Sequence, residues 1–110
     1  MTIGEVEEFL WTLSTCLEGE IGDWHIRFGG TTVSIRVNPG ADLVVISAPI
    51  AFPLTPTPED YASPSGVRYK AEGPETRAML VTRLSELRMG GLQAGFQQVV
   101  DHAQKPPGAS

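Results

Sequence analysis

The chain has 110 residues, of which 41% are apolar and 19% charged, a balance that excludes wholesale disorder and suits a single globular domain. One cysteine excludes an intramolecular disulfide, and no run approaches the roughly 18 apolar residues of a spanning helix. The net charge of −5 is uneven: Glu5, Glu7, Glu8, Glu18, Glu20 and Asp23 stand in the first 23 residues without a Lys or Arg, whereas the other 87 hold eight basic and seven acidic groups. Nucleic acid and anionic membrane both bind through clustered positive charge, so neither is expected as a partner.

The start also lacks a basic stretch leading into an apolar run, and a cytoplasmic protein is expected. Thr2 reads as the N-cap of a first helix, with Glu5 completing a capping box. Ile3, Val6, Phe9, Leu10, Leu13, Cys16 and Leu17 follow on one stripe at helical spacing, and Gly19 and Gly22 are expected to end the helix. Trp11 falls outside that stripe, among Glu7, Ser14 and Glu18. It is either a cover for a neighbouring loop or an anchor for another chain, since Trp is enriched at interface hot spots.

Residues 24 to 50 read as a three-stranded antiparallel meander. Trp24, Ile26 and Phe28 alternate with His25 and Arg27, and Gly29-Gly30 turns the chain. Val33, Ile35 and Val37 then alternate with Thr32, Ser34 and Arg36, and Asn38-Pro39-Gly40 turns it again. These two strands therefore carry one covered and one wetter face. Leu43 to Ile50 is almost wholly apolar and predicts cover on both faces, by a helix and a loop or by a second subunit.

Residues 49 to 74 hold six prolines, which forbid a long helix or a central strand. Phe52 and Leu54 lie in an extended part of this stretch, and Val67 to Ala71 alternates as a short fourth strand. Pro74 suits the first turn of a second helix over about 75–89, with Leu80, Leu84 and Leu87 as its seam and Val81 beside them. Gly90-Gly91 is expected to break it before a third helical segment marked by Leu92, Phe96, Val99, Val100 and Ala103. Residues 1–104 thus make one α+β domain, in which an N-terminal helix precedes a three- to four-stranded antiparallel meander and C-terminal helical segments pack on the sheet. Residues 105–110 make a frayed tail.

Catalytic and metal constellations are missing from this pattern. Cys16 lies on the buried stripe, where a free thiol acts as a small hydrophobe. Cys16, His25 and His102 lack the close paired spacing of metal ligands. No glycine pair leads from a strand into a helix as a phosphate loop does. The expectation is therefore no enzyme, no cofactor and no metal.

Protein contacts are expected instead. The sheet has two edges to cover, and Trp11, Phe52, Leu54 and Phe96 add large apolar groups outside the obvious seams. Burial of these groups in a homodimer with a two-fold axis is one outcome, and a monomer whose proline-rich loop folds back over the sheet is the other. A separate reading has His25, Arg27 and Arg36 binding an anionic small molecule or nucleotide on the open sheet face, as a sensor would. An enzyme whose residues meet only in three dimensions is a third, weaker one.

Trp24 to Ile50, with the strands "TTVSIRV" and "LVVISAPI" between tight turns, resembles the type III secretion chaperone-like superfamily, which includes the YbjN-like bacterial proteins. The resemblance implies a bacterial α+β sandwich, a homodimer, no cofactor, and binding of a partner protein's segment along an apolar surface. This chain departs from that pattern in being short and in its proline-rich 49–74 stretch.

Overall fold

In chain order the elements are helix α1 (Ile3–Leu13), strands β1 (Leu17–Glu20), β2 (Asp23–Phe28), β3 (Thr31–Asn38), β4 (Leu43–Pro49), β5 (Arg68–Glu72) and β6 (Glu75–Thr82), and helix α2 (Met89–Gln104). The computed structural model describes residues 2–13, 17–28, 30–50, 66–72 and 75–104. Cys16, Phe52 and Leu54 lie outside them, as do the tail and most of the proline-rich stretch. All six strands join one antiparallel sheet in the order β1-β2-β3-β4-β6-β5.

α1 begins as its sequence dictates. The Thr2 amide donates to Glu5 Oε1 at 2.9 Å and the Glu5 amide donates to Thr2 Oγ1 at 3.2 Å, which satisfies two amides that the first turn leaves without partners. Hydrogen bonding from Thr2, its backbone amide first and its side chain second, holds the Glu5 carboxyl below its ordinary value. Val6, Phe9 and Leu10 are buried on the expected stripe. The helix, however, ends at Leu13 rather than at the glycines. Leu17 to Glu20 pair with β2, Leu17 standing opposite Ile26 and Gly19 opposite Trp24. Gly19 has φ +114°, and any Cβ there would collide with the Asp23 carbonyl, so only glycine fits this edge pairing.

The meander forms as read, and its alternation sets the layers. Trp24, Ile26, Val33, Ile35, Val37, Val44, Ile46 and Ala48 are buried on one side of the sheet, where both helices pack. Phe96 of α2 is buried between Phe9 of α1 and Phe28 of β2, with ring centroids 6.1 and 5.8 Å away. α2 also rides close to the sheet at Gly95, where a Cβ would stand 3.1 Å from Leu80 Cδ2 and 3.3 Å from Ile46 Cδ1. β4 proves to alternate as well: Val44, Ile46 and Ala48 are fully covered by the helices, while Val45 on the other side is half-buried.

The stretch expected as a second helix is instead strand β6 with a following 3-10 turn (Leu84–Glu86). β6 pairs with β4 along its length, from Val44 opposite Thr82 to Pro49 opposite Arg77. This pairing makes β4 and β6 the sheet's interior and leaves β5, the expected fourth strand, as an outermost strand. Gly90 and Gly91 lie in the first turn of α2 and do not interrupt it, so the C-terminal helical sequence is one helix.

Opposite β6, the turn from β3 to β4 is tied down. Asn38 Oδ1 accepts the Ala41 amide at 3.2 Å, and Asp42 adopts the left-handed region at φ +53°. The Asp42 carboxylate then accepts the Ser85 hydroxyl at 2.6 Å and the Ser85 amide at 2.7 Å. Those two bonds, the hydroxyl first, hold the Asp42 carboxyl below its ordinary range.

Candidate functional site

With both helices on one side, the described residues place no helix over the outer face of the sheet. Pairing sets its side chains in rows. One row runs Glu18, His25, Ser34, Ser47, Met79 and Arg68 from β1 to β5. The next runs Glu20, Asp23, Arg36, Val45 and Val81 from β1 to β6. The face is therefore acidic along β1, polar over β2 and β3, and apolar with flanking arginines over β4 and β6.

A hydrogen-bonded bridge spans these strands. Arg77 on β6 donates through Nε to Ser47 Oγ at 3.3 Å and through Nη2 to Ser34 Oγ at 3.3 Å. The same Nη2 is 3.5 Å from the Ser47 carbonyl oxygen. His25 Nδ1 lies 2.8 Å from the Ser34 hydroxyl. Ser47 is only 8% exposed in consequence. Beyond the bridge, Arg36 Nε stands 3.9 Å from Asp23 Oδ1, a long, solvated pair of small energetic weight. Together these groups and Val45, Met79 and Val81 enclose an open hollow of about 500 Å³. Val81 is 51% exposed in it.

His25 and Arg36, read from the sequence as ligand contacts, line this hollow. Arg27 does not; it lines a smaller depression of about 190 Å³ with Glu18, His25, Ile26 and Thr32. Arg77, Met79 and Val81 were not legible as site residues, because their segment reads as a helix. The alternation Arg77-Ala78-Met79-Leu80-Val81 was the available signal, with Ala78 buried and Val81 exposed.

Among the expected protein contacts, Trp11 is 52% exposed on the outer side of α1. Phe96 is corrected: it is fully buried against Phe9 and Phe28 and offers no surface. Its spacing on the α2 stripe with Leu92, Val99 and Val100 already requires that position. Elsewhere the chemistry is sparse. No group of three His, Cys, Asp or Glu side chains that could hold a metal occurs among the described residues. His102 is on α2, across the sheet from His25, and its Nδ1 donates to the Gln98 carbonyl at 2.8 Å. No helix among the described residues is long and apolar enough to cross a membrane.

No protein-family model and no curated protein matches this sequence. Solved structures do match its fold. One is the crystal structure of the Yersinia pestis type III secretion chaperone SycH in complex with a stable fragment of YscM2. It superposes with a TM-score of 0.68 at 16% identity, over 93% of this chain and 97% of that one. Another is the HopA1–SchA chaperone–effector complex, with a TM-score of 0.66 at 10% identity, over 93% of each chain. The chain thus has the fold of type III secretion chaperones, as the resemblance of residues 24 to 50 implied.

Proposed function

We propose that this chain is a non-enzymatic, protein-binding module with a chaperone-like role, which holds a segment of a partner protein on the outer face of its sheet. The observation that carries this reading is the uneven cover of the six-stranded sheet: helices close one face, while Val45, Met79 and Val81 stand on the other, over which the described residues place no helix. Apolar groups gathered in a hollow with a polar rim are the general form of a protein-binding surface. The fold supports the same reading, since SycH is seen with a YscM2 fragment and SchA with HopA1. A cytoplasmic homodimer is part of the proposal, with Trp11, Phe52 and Leu54 as further contacts and the outermost strands β1 and β5 open to extended pairing.

The test is capture from native lysate followed by hydrogen exchange on the complex. Slower exchange in β3, β4 and β6 and loss of capture by Val81→Asp support the outer face. Capture that leaves those strands unprotected moves the site elsewhere. Light scattering at high micromolar concentration tests the dimer, and a monomer there removes it. Trp11→Ala with unchanged association and capture removes Trp11 from the contact set.

A second reading rests on the hydrogen-bond donors in the hollow. Arg36, Arg77 and the His25 ring around one carboxylate, Asp23, suit a small anion. Thermal stabilisation by phosphate or citrate that Arg36→Ala abolishes favours this reading over protein binding.

A further inference from the structure

Resting on the protein-binding reading, we infer that the hollow takes a partner segment that presents apolar side chains flanked by carboxylates, seated with a carboxylate toward Arg36 on β3. Charge around the hollow is uneven even though the chain is net acidic. Glu18 and Glu20 occupy the β1 margin and Glu72 stands opposite Glu75 at the end of the β5–β6 ladder, whereas Arg36 on β3 and Arg68 on β5 flank the apolar groups. Asp23 is the one carboxylate among the residues that line the hollow, and it holds Arg36 only at 3.9 Å. A carboxylate on a partner therefore gains by approaching Arg36 and is repelled from β1, which orients the segment across the strands.

The apolar part of the hollow sets the other half of the recognition. Val45, Met79 and Val81 lie on adjacent positions of β4 and β6, so their cover requires apolar groups between the carboxylates. A nucleic acid fits poorly. The net charge of −5 repels a polyanion, and the hollow's lining includes no Phe, Tyr or Trp for bases to stack on. A lysine-rich segment would meet two guanidinium groups across the hollow.

Fluorescence anisotropy on the full chain tests this with short labelled peptides that alternate leucine with glutamate, leucine with lysine, or serine with glutamate, and with a single-stranded oligonucleotide. The leucine–glutamate peptide is expected to bind about three- to tenfold more tightly than the leucine–lysine peptide, and the gap should narrow at high salt. Arg36→Glu should invert that order and Arg36→Gln should erase it, with circular dichroism confirming the fold of each variant. The inversion separates recognition from a structural role for Arg36. Equal or tighter binding of the leucine–lysine peptide, or a preference that survives Arg36→Glu, overturns the inference and leaves the protein-binding reading intact. Equal binding of the serine–glutamate peptide, or tighter binding of the oligonucleotide, overturns it as well. If no peptide binds and native lysate yields no partner, both the inference and the reading beneath it fail.

Discussion

The two faces of this sheet are built from the same strands, yet they solve different problems. On the inner face Ile35, Ile46, Ala78 and their neighbours meet α1 and α2 and are wholly buried. On the outer face the intervening residues are mostly polar, and the apolar ones gather where β4 and β6 pair. The inner face accounts for stability through area removed from water. Outer-face apolar groups contribute less of that, because a good part of their area remains in solvent, so their placement is informative about contacts as well.

Substitutions on either side can break this contrast. Phe96→Ala removes a ring packed between Phe9 and Phe28 and should cost about 3–5 kcal/mol in urea unfolding, a large part of a domain's stability. A loss under about 1 kcal/mol would show that the inner face is not closed as described. Gly95→Val overfills the seam between α2 and Leu80 and Ile46 and should cost about 1–3 kcal/mol by the same measurement.

Asp42→Asn should have a smaller effect with a distinct pH signature. The folded Asp42 carboxyl titrates below its ordinary value of 3.8 because Ser85 donates to it. Its contribution is therefore full above the unfolded value and is lost as pH falls through the lower folded value. Melting temperatures of the parent and Asp42→Asn should differ from about pH 5 to 7, begin to converge near pH 3.8 and meet only below the lower folded value. A gap that stayed constant with pH would assign the effect to the backbone of the turn. The smallest effect belongs to the outer face: Val81→Ser should stay within about 0.5 kcal/mol in urea unfolding. A core-sized loss there would mean that the outer face is covered after all.

Local signals made part of this legible from the sequence. The Thr2–Glu5 capping box and the alternation from Trp24 to Val37 depend on residues close in the chain, and the structure follows them. β6 was hidden for the opposite reason. Glu75 to Leu87 is rich in Glu, Arg, Ala, Met and Leu, and Leu80, Leu84 and Leu87 recur at helical spacing. Its strand state is decided by hydrogen bonds to β4, a partner distant in sequence. Loss of β6 from the reading also removed Arg77, Met79 and Val81 from the candidate site, while His25 and Arg36 were found because β2 and β3 were. β1 was missed because Leu17 extends the apolar stripe of α1 and so masks the break after Leu13.

The pairing of β4 with β6 also bears on how the chain reaches its native state. β2, β3 and β4 join through tight turns and can zip together over short distances, on the microsecond scale of hairpins. The β4–β6 ladder must instead close the whole stretch between Pro49 and Arg77, and such distant contacts slow folding because the ends lose entropy before any bond forms. α2 follows every strand in chain order, so a nascent meander shows its apolar side until that helix arrives. Early in synthesis the chain therefore resembles a client in need of shelter.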